Sequence, residues 1–350
     1  MTLSGSVAYT VPPTVVAITG ELQDHLQVND LETLEMVQYL KVTDLPVKLY
    51  QIVALENWLF VTAVFRGIQS ALIQYEVQST SNLLEFKEYD TFSTLCDQPL
   101  SLKATYDYIQ SPILGMVCTE SVLVVDPVIL ELLHIFPLPA ILGIDVESAV
   151  DTALTANYIY ITFATKPQGD EEKSEGLLVM YSRATWEMVR WVSVRGKTSH
   201  LHIAGSTSLF LTSSGNGGSY MKQLNPMDLK EAYEVNPQGF EFLRMAWTPD
   251  LTKLFMYIQK SGLNAGRVRN FDNTVYPVEK LCPDVRIEMS PGSQPVVNNE
   301  YLIVRSNASL TRFTLNDSGC PRQKTQTSYS LDPAVYSGAA ILCLECLAIA

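Results

Sequence analysis

Short β-rich segments centred near Val16, Trp58, Ile113, Tyr158, Leu209, Leu254 and Tyr301 recur along this 350-residue chain. The interval is roughly 45–50 residues and survives in spacing and texture, hardly in identity. A sheet-forming unit of that size cannot bury both of its faces alone, so several must pack against one another in a ring or a stack.

Each repeat has the same internal order. A polar turn residue opens a β-branched or aromatic run at 57–61 (NWLFV), 157–161 (NYIYI), 207–211 (TSLFL), 253–257 (KLFMY) and 299–304 (NEYLIV), with no room for a helix. A further strand follows at 71–75, 122–126, 176–181, 218–222 and 309–313, several of them alternating as half-buried strands do. A more amphipathic one comes next, as at 84–89, 132–136 and 188–192, with the charge expected of an outer edge. Ahead of each run lies another candidate strand, at 47–50, 102–105, 149–152, 200–203, 240–244 and 285–288.

Four strands per unit is the content of a propeller blade, whose first strand lines a central channel. The expected fold is therefore all-β: a single seven-bladed β-propeller of four-stranded antiparallel blades over residues 1–350. The first unit lacks its inner strand, and the run after Asp332 is placed to supply it and close the ring. A truncated eighth blade at 339–345 is the competing assignment. Segment 31–40 has helix-like apolar spacing, but it falls where other units place strands three and four, so strands are expected at 25–29 and 36–42 with a turn at Asn29 and Asp30. In period and strand texture nearly the whole chain resembles the β-propeller repeat proteins of the WD40-like and YVTN-like kind. That resemblance implies a disc-shaped platform that binds other proteins.

Composition narrows the function. Many half-buried strands account for a chain that is 47% hydrophobic and 17% charged, with a mean hydropathy of +0.10. No apolar run reaches the roughly 18–20 residues of a membrane-spanning helix. A net charge of −13, with 24 Lys and Arg in no dense cluster, argues against nucleic acid. The acidity serves solubility, or else matches a basic partner or a cation. Six cysteines are too few for a disulfide framework, so Cys96, Cys118 and Cys282 are expected to pack as small buried hydrophobes. Cys343 and Cys346 form a lone CxxC without a second pair. The N-terminus lacks a basic start and an apolar core, so no signal peptide is read there. Asn307 and Asn316 stand in glycosylation sequons that matter only in a secreted chain. The compartment is cytoplasmic if Met1 is the true start and extracellular if the chain is part of a processed protein.

Chemistry is sparse. His200 and His202 lie two apart on a candidate inner strand, where both imidazoles would face one side. Together with Asp151, Glu241 and Glu288 they form a candidate divalent-metal site in the channel; the competing reading is a pair of hydrogen-bonded histidines in a polar channel, with Lys48, Lys103 and Arg286 as neighbours. The acidic run 169–176 and the turn 215–218 read as solvated hairpin tips. No nucleophile elbow, phosphate loop, HExxH or dinucleotide fingerprint is present. The expectation is a non-catalytic protein- or peptide-binding scaffold that uses the loops and channel mouth of one face. Trp58, Trp186, Trp247, Tyr106 and Tyr220 are candidate anchors, since such residues dominate hot spots. Two alternatives are a metal-dependent hydrolase or lactonase with a channel site, and an extracellular ligand-binding domain of a larger protein. No cofactor is required by the first reading, and no nucleic acid or membrane span by any.

Overall fold

A computed structural model describes residues 15–19, 25–30, 36–41, 47–55, 58–65, 70–80, 83–93, 96, 99–105, 112–166, 175–204, 208–215, 218–236, 240–248, 252–260, 265–275, 278–288, 296–297, 300–305, 309–328 and 347–349. Among them, seven antiparallel sheets follow one another along the chain. The first contains β1 (Val15–Thr19), β2 (His25–Asp30) and β3 (Met36–Lys41), and the second β4 (Val47–Leu55), β5 (Trp58–Phe65), β6 (Ser70–Thr80) and β7 (Leu83–Ser93). The third is β8 (Pro99–Thr105), β9 (Ile113–Cys118), β10 (Ser121–Asp126) and β11 (Glu131–Pro137). The fourth is β12 (Val146–Leu154), β13 (Tyr158–Thr165), β14 (Glu175–Ser182) and β15 (Met188–Arg195). The fifth is β16 (Lys197–Ala204), β17 (Ser208–Gly215), β18 (Gly218–Leu224) and β19 (Glu231–Val235). The sixth is β20 (Phe240–Trp247), β21 (Lys253–Lys260), β22 (Ala265–Asp272), β23 (Glu279–Lys280) and β24 (Val285–Glu288). The seventh is β25 (Val296–Val297), β26 (Tyr301–Arg305), β27 (Ser309–Leu315) and β28 (Pro321–Ser328). A last strand, β29 (Leu347–Ile349), pairs antiparallel with β1, Ala17 opposite Leu347, so the two ends of the chain share one sheet.

Every repeat centre read from the sequence falls on the second strand of a sheet. Those strands are the most apolar because they are covered on both faces; β9 is buried along its whole length. The first strands β4, β8, β12, β16, β20 and β25 each touch the next, which puts them at the centre of the disc. The core is accordingly a set of layers between neighbouring sheets. Phe60 and Leu72 meet Leu102 and Met116 in one layer, and Val122 and Phe136 meet Ile159 and Phe163 in the next. Tyr160 and Leu178 meet Leu209 and Leu211, Phe210 meets Trp247 and Met256, and Phe255 meets Leu302 and Phe313. At Gly115 a side chain would press on Thr152 Cγ2 at 3.0 Å, so glycine allows the third and fourth sheets to close.

The turn from third to fourth strand repeats in detail. Asp126, Ser182 and Asn225 each accept a backbone N–H two or three residues ahead, at 2.8, 3.3 and 2.8 Å. Four residues after each, Leu130, Trp186 and Leu229 take φ of 49°, 61° and 56°, a conformation that costs a bulky residue of order 1–3 kcal/mol. Burial holds it: Leu130 and Leu229 are 5% and 3% exposed, wedged into the seam with the preceding sheet. That preceding sheet also grips the turn. Gln74 Nε2 donates to the Pro127 carbonyl at 3.1 Å, Tyr160 Oη to that of Pro226 at 2.9 Å, and Asn270 Nδ2 to that of Gly319 at 3.2 Å.

This wiring sets an alkaline limit. Burial pushes the Tyr160 phenol well up and the Tyr181 phenol up to about 12 from an ordinary 10.0. Above pH 10 the unfolded chain releases these protons while the folded chain keeps them, so stability falls as pH rises. The denaturation midpoint is expected to drop between about pH 10 and 12, with Tyr181→Phe flattening the decline. Tyr160→Phe should cost about 1 kcal/mol at neutral pH through the lost Pro226 bond. Urea melts across pH, paired with tyrosinate absorbance, check both.

Three expectations need correction. Residues 285–288 are not an inner strand: β24 pairs with β22 beside β23, as an outer strand of the sixth sheet, and the seventh sheet's first strand is β25. An alternating segment shows that a strand is half covered, not which strand covers it. The pairing at 25–41 is as expected, but β2 continues through Asn29, opposite Met36, and Asp30, opposite Val15. Finally, the cysteines are not merely buried. Cys96 pairs with Cys118 and Cys282 with Cys320 as disulfides, with Cα atoms 5.5 and 5.9 Å apart. The first pins the approach to β8 onto the end of β9; the second joins the sixth sheet to the seventh. Cys343 and Cys346, the loop 167–174 and the competing strand at 339–345 lie outside the described residues.

Candidate functional site

A bulge interrupts the first strand of five consecutive sheets, immediately before Gln51, Ser101, Asp151, His200 and Arg244. A bulge frees a backbone N–H and re-aims the side chain beside it. In three of the sheets a fully buried threonine of the second strand receives that N–H. Thr62 accepts from Gln51 at 2.9 Å, Thr162 from Asp151 at 3.1 Å and Thr212 from His200 at 3.1 Å.

Asp151 is the hub of this inner layer and is 2% exposed. Its Oδ1 accepts from Ser101 Oγ at 2.7 Å and from its neighbour's N–H at Thr152 at 2.9 Å. Its Oδ2 accepts from the Leu201 N–H at 2.8 Å, with Lys103 Nζ at 4.0 Å and His200 Nδ1 at 3.9 Å. One carboxylate therefore ties β8, β12 and β16, the first strands of three successive sheets. Few lone pairs are left for a substrate or a metal.

The two histidines do not act as a pair. His200, after the bulge, faces Asp151. His202 stacks on Trp247 across the next seam, ring centroids 5.1 Å apart at 12°. Burial, and secondarily the positive charge of Lys103, holds its imidazole well below the ordinary histidine range, so it is a neutral ring at physiological pH. His202 Nε2 and Trp247 Nε1 are both buried with no hydrogen-bond partner among the described residues. Among the described residues no group of three His, Cys, Asp or Glu gathers as metal ligands would. Glu241 lies on the inner strand β20 and Glu288 on the outer strand β24; the side chains of both lie outside the described residues.

The candidate anchors scatter. Trp247 and Tyr220 are 2% and 6% exposed and serve the seams, Tyr220 beneath the Arg195 guanidinium at 5.3 Å. Trp58 is half-buried against the layer between the second and third sheets. Trp186 stacks on His134, centroids 5.0 Å apart at 8°. Tyr106 and Asn307 lie outside the described residues. Asn316 Oδ1 accepts the Cys320 N–H at 2.6 Å and shapes the turn before β28.

Sequence reading missed Ser101 and the threonines, whose signal is a residue at 51, 151 or 200 followed 11 or 12 positions later by Thr62, Thr162 or Thr212. It also missed where the exposed apolar groups collect. Eleven large hydrophobics are exposed among the described residues. Nine of them (Val128, Ile129, Leu132, Leu133, Met188, Val189, Trp191, Met227 and Val275) occupy third-to-fourth-strand turns or the adjoining part of a fourth strand. Because the sheets share one strand order, those turns emerge at one face of the disc.

No protein-family model and no curated protein matches this sequence. Solved structures do resemble it. A putative 6-phosphogluconolactonase from Bacteroides uniformis is 12% identical and superposes with a TM-score of 0.59, over 90% of this chain and 96% of that one. Raptor from Chaetomium thermophilum, 11% identical, gives 0.55 over 91% of this chain and 28% of that one. The dihydro-heme d1 dehydrogenase NirN, 12% identical, gives 0.49; the chain spans 55% of its length. At these identities the likeness is one of fold. The chain is an all-β protein of the propeller kind, its described sheets antiparallel and four-stranded except the sixth, which has five strands.

Proposed function

We propose that this propeller is a recognition module that binds a protein or peptide through one face and the adjoining rim. The observation that carries the reading is the one-sided distribution of exposed apolar side chains, nine of the eleven among the described residues at the third-to-fourth-strand end. Monomeric surfaces rarely gather such groups without a partner. A channel hydrolase is the weaker reading, because Asp151 is already saturated by donors and has an ammonium group at 4.0 Å. The second disulfide and the first both favour an oxidising compartment, which supports the extracellular form of the same reading.

Two turn substitutions test it: Ile129→Glu and Met227→Glu, each on an exposed position. Immobilised wild-type protein is expected to retain a partner from extract or secretion of its native host. The double variant should retain it at least tenfold less, with an unchanged melting temperature. Equal retention by both proteins would overturn the reading.

A further inference from the structure

The third-to-fourth-strand turns are not alike. Those of the third, fifth and sixth sheets bring out Val128 and Ile129, Met227, and Val275, and that of the fourth leads straight into Met188 and Val189. The turn of the seventh sheet, residues 316–320 between β27 and β28, brings out no apolar side chain. Its tip is Asp317 and Ser318, both exposed. The turn is held from several sides. The Asn316 N–H donates to the Cys320 carbonyl at 3.1 Å, and the Gly319 N–H to the Asn316 carbonyl at 2.6 Å. Gly319, at a φ of 77°, is buried beside Lys253, and Cys320 is bonded to Cys282.

The two ends of the Asn316 amide differ. Oδ1 accepts the Cys320 N–H at 2.6 Å. Nδ2 has no hydrogen-bond partner among the described residues and is not buried, so solvent reaches it. Asn316, Asp317 and Ser318 make an Asn–X–Ser triplet, the acceptor sequence for an N-linked glycan in the surface loop of a secreted chain. Two disulfides, one of them closing on this turn, fit the oxidising route such chains take. A glycan is bulky and needs water around it; a polar tip supplies that, and an apolar docking surface would not.

We propose that Asn316 carries an N-linked glycan, which covers the seventh sheet's part of this face and leaves the arc from the third to the sixth sheet to the partner. The proposal rests on the extracellular form of the recognition reading. In the transfer, Nδ2 attacks the anomeric carbon of an oligosaccharide linked to a lipid diphosphate. The carbon–nitrogen bond forms as the bond from that carbon to the phosphate oxygen breaks. The lipid diphosphate leaves, the amide gives up one of its two protons, and nothing is oxidised or reduced. Oδ1 takes no part, so the modified residue still accepts the Cys320 N–H and closes the turn.

The test begins with protein purified from its native host, reduced, alkylated and cut with trypsin, which leaves Asn307 in peptide 306–312 and Asn316 in peptide 313–322. Peptide 313–322 is expected to carry sugar in most copies, and amidase release of the glycan in heavy-oxygen water should convert Asn316 to labelled Asp. Recovery of that peptide chiefly unmodified would overturn the proposal, whatever the state of 306–312. Secreted behind a cleavable leader from a eukaryotic cell line, Asn316→Asp and Ser318→Ala should each run smaller than wild type by one glycan. Asp opens the equivalent turns at Asp126 and Asp272, so Asn316→Asp should keep the melting temperature of the deglycosylated wild type. Equal mobility of wild type and both variants would overturn the proposal as well. Enzymatic removal of the glycan should leave partner retention unchanged, and lost retention would overturn its placement outside the bound arc. The recognition reading is decided separately, by Ile129→Glu with Met227→Glu, so either can fail without the other.

Discussion

Asp151→Ala is expected to lower folding stability by about 3–5 kcal/mol, the range for removing one member of a buried, charge-assisted network. Ser101 Oγ, the Leu201 N–H and the Lys103 ammonium would each lose an acceptor or counter-charge in a space water scarcely reaches. Asp151→Asn should fall between, since the amide keeps one acceptor oxygen but turns a donor toward Leu201 or Ser101. Ser101→Ala removes one hydrogen bond and should cost only about 1 kcal/mol. Urea unfolding followed by tryptophan fluorescence orders the series. A stable Asp151→Ala protein would mean that the three first strands are held by apolar packing and that the carboxylate is there for chemistry. That outcome would return the hydrolase reading to first place.

Loss of the disulfides is the second large effect. Cys96–Cys118 closes 22 residues and Cys282–Cys320 closes 38; the chain-entropy account gives about 3–4 kcal/mol for each. Cys282→Ser with Cys320→Ser should do more than lower the urea midpoint. It unpins the sixth sheet from the seventh, so hydrogen exchange should accelerate first in β24 and β27. The Cys96 pair lies within one sheet region, and its loss should act chiefly on the stretch before β8. Thiol titration of the unfolded, unreduced protein decides whether the pairs exist. Six reactive thiols would refute them and, with them, the case for an oxidising compartment.

Much of the architecture was legible in the chain. The position of Val16, Trp58, Tyr158 or Leu254 on a second strand follows from local texture, because a strand covered on both faces must be apolar throughout. Segment 285–288 shows the limit of that reasoning: its alternation was real, but its partner is β22 rather than a strand of the next sheet. The cysteines show another. Burial was readable from their apolar neighbours, whereas pairing across 38 residues depends on two turns meeting in space. His200 and His202 lie on an inner strand as read, yet one approaches Asp151 of the preceding sheet and the other stacks on Trp247 of the next.

By itself the sequence determined a period, four strands to each period, and the direction in which each strand's greasy side must turn. These are properties of segments about ten residues long, and hydrophobic alternation encodes them locally. Only the tertiary structure decided that Asp151 binds three sheets together and that four cysteines are joined. Each of those depends on distances between residues far apart in the chain, which no local pattern specifies.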